Sequence, residues 1–240
     1  AYGSKPHDAN TNPGNQSYSA TFNTYLLYGL GLQWQFNPRM AVQLTGNFQH
    51  ISNGGWKEPN KGVNWPTGGL HFIRYNKPFQ LYRGGRQKDS SWRSLGWRKD
   101  LAIYGTGKRW ISGNGESKRR PVVGVVAQMG KQAGLINHLN AGMEWSYDDV
   151  IDKDLLDDSI PGSPQQWAFL AGHEFLLGRF RFSQQLGIYI LKDNPYSDDW
   201  FHRWGINYRA GKHYAVGLNL KAHRQVADYI DLRLMYSWSN

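Results

Sequence analysis

The chain has 240 residues, 28 Lys and Arg against 18 Asp and Glu, a formal charge of +10 and no Cys. Without cysteine there is neither a disulfide framework nor a thiolate metal site. A mean hydropathy of −0.65, with no apolar run of the ~18 residues a helical span requires, excludes a transmembrane helix. The basic balance suits an anionic partner: anionic lipid, lipopolysaccharide phosphates or nucleic acid. No base-reading motif supports nucleic acid, so that partner is set aside. No secretory signal is visible at Ala1, and the sequence reads as a mature or truncated chain.

Along the chain the dominant signal is alternation, which places successive side chains on opposite faces of a strand. Segment 20–36 sets Phe22, Leu26, Tyr28, Leu30, Leu32, Trp34 and Phe36 against Asn23, Gly29, Gly31, Gln33 and Gln35. After the turn Asn37-Pro38-Arg39, segment 40–52 sets Met40, Val42, Leu44 and Phe48 against Gln43, Thr45, Asn47 and Gln49. Its greasy face ends in His50 and Ser52. Further strands are expected at 66–75, 98–106, 121–130, 135–148, 165–176, 179–191, 201–210, 213–223 and 228–238, roughly eleven in all.

With 11 Trp, 14 Tyr, 10 Phe and 28 Gly, the pattern fits an all-β, antiparallel transmembrane β-barrel of the outer-membrane type. A soluble β-sandwich is the plainer alternative. Such barrels use an even number of strands, so about 12 are expected. The twelfth lies upstream of Ala1, or the count is off by one. The whole of 1–240 reads as one barrel domain. Short turns at 37–39, 132–134, 177–178 and 211–212 fall on the periplasmic side. Segment 76–97 falls there too, although it is long and basic.

His50 and Ser52 lie two residues apart on one face, with Cβ atoms roughly 7 Å apart. A histidine that reaches a serine hydroxyl takes its proton and makes it a nucleophile. Asn53, Gly54 and Gly55 follow, and an Asn amide with Gly-rich backbone N–H groups suits an oxyanion site. Spacing alone is equally met by an interfacial histidine beside a turn-forming Ser-Asn-Gly.

The segment His50-Ile51-Ser52-Asn53 through Pro59-Asn60-Lys61-Gly62 to Asn64 resembles the signature of the lipid A 3-O-deacylases, the acyloxyacyl hydrolase-like outer-membrane barrels. The resemblance is tight over 45–66 and looser through Leu220–His223 and Ala227-Asp228. It implies an outer-membrane serine esterase that removes an ester-linked acyl chain from lipid A of lipopolysaccharide. It maps the nucleophile onto Ser52, the base onto His50 and an oxyanion candidate onto Asn53. The third member of the triad maps onto Asn64, where the best-known pattern has a glutamate. An Asn carbonyl can fix the imidazole tautomer but supplies no charge. Glu58 is a fallback orienter. No cofactor or metal is called for.

Other features carry weaker readings. Lys108, Arg109, Lys118, Arg119 and Arg120 suggest a basic outer loop that binds lipopolysaccharide phosphates or is merely solvated. Arg83, Arg86, Lys88, Arg93, Arg98 and Lys99 would touch a periplasmic partner or only water. His138, Glu144, Lys221, His223, Asp231 and Arg233 point inward on the strand parity and read as structural ion-pair residues. Asp148, Asp149, Asp152, Asp154, Asp157 and Asp158 read as an acidic outer loop, with a divalent cation as the less favoured reading. The rival to an enzyme is a non-catalytic barrel that binds lipopolysaccharide or scaffolds other outer-membrane or periplasmic proteins. A porin-like channel is weaker, because a barrel interior bearing Arg and Glu is too full.

Overall fold

Alternation carries through into the folded chain, but the strands divide between two sheets. The computed structural model describes residues 5–53, 57, 59–79, 91–113, 115–224 and 226–239. Two compact units cover 1–88 and 89–240.

The first unit holds a three-stranded antiparallel sheet in the order β1 (Thr24–Asn37), β2 (Met40–Ser52), β3 (Val63–Arg74). The β1–β2 turn is tight because the Asn37 side chain accepts the Arg39 N–H at 2.8 Å, an Asx turn around Pro38. The register aligns Thr24 with Ser52, Leu26 with His50 and Leu32 with Leu44. On the other side it aligns His50 with Asn64, Phe48 with Pro66 and Leu44 with Leu70. One face therefore gathers Leu30, Leu32, Trp34, Leu44, Phe48, Leu70 and Phe72, all exposed, with Phe72 at 81 %. His50, Ser52 and Asn64 complete that face at the end where β2 finishes.

The second unit is a closed barrel of eight antiparallel strands. These are β4 (Arg98–Ile111), β5 (Ser117–Gln132), β6 (Asn137–Asp148), β7 (Gln165–Leu177), β8 (Phe180–Lys192), β9 (Trp200–Arg209), β10 (Tyr214–His223) and β11 (Val226–Ser239). β11 returns to β4, from Leu232 opposite Gly105 to Ser239 opposite Arg98. Helix α1 (Asp149–Asp157) lies in the β6–β7 link, and a short 3₁₀ turn at Ser91–Ser94 precedes β4.

Outside and inside are reversed relative to a water-soluble protein. Ile103, Met129, Leu139, Ile188, Leu218 and Leu232 are exposed on the exterior. The interior holds three layers of buried ion pairs. Arg203 and Lys221 meet Glu144 in the middle layer, where Arg233 bonds Asp231. Tyr104 donates to Glu144 Oε1 at 2.9 Å. Toward the short turns, Arg98 bridges Asp100 and Glu174, and Arg181 lies 3.8 Å from Asp100. Toward α1, Lys108 spans Asp148 and Asp228. Each of these six cations has a carboxylate and each of the six carboxylates a cation, so the core is electrically balanced. Such pairing is what makes burial of charge tolerable. The inward readings of His138, Glu144, Lys221, His223, Asp231 and Arg233 agree with this interior.

The expectation of about 12 strands in one barrel is corrected. Eleven strands are present among the described residues, and eight of them close without the first three. Evenness is satisfied by the eight-strand ring itself, so parity requires no further strand. The link expected at 107–120 is mostly strand: Lys108 pairs with Arg120 and Trp110 with Lys118 across β4 and β5. Polar side chains disguised it as a loop. Lys108 faces inward, Arg120 stacks on Trp110 at 5.1 Å, and Arg119 donates to the Gly107 carbonyl. The acidic loop is helical at 149–157, because Asp148 caps it through the Val150 N–H and Val150, Ile151 and Leu155 are buried. Of segment 76–97, residues 80–90 lie outside the described residues, and with them Arg83, Arg86 and Lys88.

Candidate active site

Three side chains converge where β2 ends. Alternation puts His50 and Ser52 on one face, and the β2–β3 register puts Asn64 directly opposite His50. His50 Nδ1 lies 2.6 Å from Asn64 Oδ1, and His50 Nε2 lies 2.9 Å from Ser52 Oγ. An amide oxygen only accepts, so Nδ1 must carry the proton. Nε2 then presents its lone pair to the serine hydroxyl. This is the tautomer a general base requires. Ser52 is buried, 5 % exposed.

Beyond Ser52, the described residues Asn53, Lys57 and Asn60 are tied together by hydrogen bonds. Asn53 donates its backbone N–H to Asn60 Oδ1 at 2.9 Å and its side-chain amide to the Lys57 carbonyl at 2.5 Å. Lys57 N–H returns to Asn53 Oδ1 at 3.4 Å. The contact with Lys57 uses one of the two hydrogens that an Asn amide carries. Gly54 and Gly55, the other expected oxyanion donors, lie outside the described residues, as does Glu58.

Gly62 has a function in the geometry that its place in the motif did not reveal. Its φ is +69°, which favours glycine. A Cβ there would come within 2.9 Å of His50 Cε1 and 3.0 Å of the Ile51 carbonyl. The absence of a side chain at 62 is what lets the chain pass beneath the imidazole.

A second support was not foreseen. The segment before β1 clasps the 53–62 turn from behind: Lys61 N–H donates to the Gln16 carbonyl and Gly62 N–H to the Ser17 carbonyl. Ser19, itself buried, donates to the Lys57 carbonyl at 2.7 Å. That segment folds on itself, with Asp8 accepting from the Asn10 and Thr11 N–H groups. Its composition of Asn, Pro and Gly gives no periodic signal by which the clasp could have been read.

Residues 97–240 match the family described as acyloxyacyl hydrolase, C-terminal domain, more than half of the chain. Residues 2–72 match the family described as lipid A 3-O-deacylase (PagL). The first match spans the closed barrel, and the second spans β1, β2, all but the last residues of β3 and the whole His50–Ser52–Asn64 cluster. A search of curated proteins found no match. The two families support a hydrolase that acts on lipid A. The chain belongs to the acyloxyacyl hydrolase, or lipid A 3-O-deacylase, family.

Proposed function

We propose that the protein is an outer-membrane serine esterase that removes an ester-linked acyl chain from lipid A. The observation that carries the reading is the continuous hydrogen-bonded line from Asn64 through His50 to Ser52. In this reading Ser52 Oγ attacks the ester carbonyl and His50 Nε2 takes its proton. The tetrahedral intermediate collapses as the imidazolium returns that proton to the departing sugar hydroxyl. Water, activated by the same base, then releases the fatty acid and frees the serine.

Asn64 holds the tautomer without adding charge. Its carbonyl dipole offers the imidazolium less stabilisation than a carboxylate would, so the chemistry is expected to be slower than with Glu at that place. The second hydrogen of the Asn53 amide, together with Gly54 and Gly55, is the proposed oxyanion contact.

Two further features support a membrane site. The reversed polarity of the barrel matches an exterior that meets hydrocarbon. The exposed apolar face of β1–β3 runs up to His50 and Ser52, so an acyl chain lying along it would bring its ester to the serine. The test is mass spectrometry of lipid A from cells with and without the protein. Loss of one ester-linked acyl chain supports the esterase. An unchanged acyl pattern at normal expression leaves the non-catalytic lipopolysaccharide-binding barrel as the reading.

A further inference from the structure

At the short-turn end of the barrel a cavity of about 610 Å³ opens between the ends of the strands, within the usual size range of small-ligand sites. Its floor is charged and buried. Arg98 and Arg181 line it together with His138, whose Nδ1 lies 3.4 Å from Glu174 Oε2. Arg181 Nη1 donates to Ser237 Oγ at 3.3 Å, which fixes the guanidinium at the cavity wall. Nearer the mouth are Arg209 and Lys212.

The balance of charge decides what this cavity attracts. Asp100 and Glu174 are the acidic groups beneath it; both side chains are buried, and Arg98 bridges them at 2.8 and 2.5 Å. The barrel's interior charges cancel within ion pairs that join six cations to six carboxylates. Arg209 and Lys212 belong to none of them and form no ion pair among the described residues. Lys212 is carried on a fixed turn: the Ala210 and Gly211 N–H groups both reach the Tyr214 carbonyl, and Ser237 N–H donates to the His213 carbonyl. Leu95, Leu176 and Trp238 supply an apolar wall on the same cavity.

We propose that this cavity binds a phosphate-bearing anion. A phosphate carries about 1.5–2 negative charges near neutral pH, which matches the two unpaired cations at the mouth, and its oxygens suit the planar forks of Arg181 and Arg209. The apolar wall favours a phosphate joined to hydrocarbon, as in a phospholipid headgroup, over the free ion. The site stands apart from the deacylase reading, since it uses none of the residues near Ser52.

The test uses the full chain folded in a non-ionic detergent, with binding followed by calorimetry. One arm titrates inorganic phosphate. The other titrates dihexanoyl phosphatidylglycerol below its micelle concentration. Tighter binding of the lipid by about tenfold or more assigns the headgroup, and equal affinity assigns free phosphate; both support the site. The double variant Arg209→Gln/Lys212→Gln should weaken binding by about tenfold or more, the scale of a lost charge-assisted bond. Lys131→Gln removes one cation from the same end without touching the cavity lining, and should leave affinity unchanged. Absence of binding in both arms, or an equal loss in Lys131→Gln, overturns the proposal. Heat-modifiable migration on gels shows that each variant remains folded.

Discussion

Gly62→Ala perturbs the site without removing any reacting group. The new Cβ would lie 2.9 Å from His50 Cε1 and 3.0 Å from the Ile51 carbonyl, with φ at +69°. Ordinary carbon contacts are about 3.5–4.0 Å, so the ring must retreat by roughly half an ångström to an ångström. The His50 Nε2 to Ser52 Oγ distance, now 2.9 Å, then passes the ~3.2 Å limit of hydrogen-bond reach. A displacement of that size can cost about a hundredfold in rate, while the left-handed backbone costs about 1–2 kcal/mol. Gly178→Ala is the matched control: its φ is +67°, and nothing lies within 4 Å of its would-be Cβ. Both variants should lose similar stability in urea titrations followed by tryptophan fluorescence. Only Gly62→Ala should lose deacylation of purified lipid A. Full activity in Gly62→Ala, or equal activity loss in both, refutes the claim that Gly62 sets the imidazole position.

Three further outcomes follow from other parts of the molecule. Glu144→Ala leaves Arg203 and Lys221, 0 and 1 % exposed, without their carboxylate; a loss of about 3–5 kcal/mol is expected in detergent unfolding, and a loss below 1 kcal/mol would contradict the paired core. Asn64→Glu should preserve or raise the deacylation rate, because a carboxylate orients the same Nδ1–H and adds charge worth up to roughly 10⁴ in rate where the tautomer also depends on it; a severe loss in a folded variant counts against Asn64 as orienter. The Tyr196 hydroxyl donates to Asp158 Oδ2 at 2.6 Å, which pushes its pKa up to about 12. The stability it contributes is present below pH ~10 and is lost as the pH rises toward 12, so Tyr196→Phe should remove one tyrosine's worth of ionisation near pH 12 from the parent's ultraviolet titration; an unchanged curve there would contradict the pairing with Asp158.

Period-two alternation made the faces legible. It put His50 and Ser52 together on the apolar side of β2, and the motif supplied Asn64. The register His50–Asn64 then followed from an antiparallel hairpin with no bulge between them. Closure was not legible, because it depends on contacts between residues far apart in sequence, such as Leu232 with Gly105. Strand ends were lost where inward residues are charged. Lys108 looks like loop until its partners Asp148 and Asp228 are known. The helix was hidden for a similar reason, its three buried residues Val150, Ile151 and Leu155 being outnumbered by aspartates. The clasp by Gln16, Ser17 and Ser19 works largely through backbone carbonyls, which any sequence offers.

In the proposed mechanism Ser52 is a nucleophile activated by His50. The most direct measurement compares the parent and Ser52→Ala proteins, matched for folded protein, on the same purified lipid A by mass spectrometry. Removal of the hydroxyl deletes the attacking atom, so the parent should release the acyl chain and a folded Ser52→Ala protein should leave lipid A intact. Deacylation by Ser52→Ala at the parent's rate would contradict it.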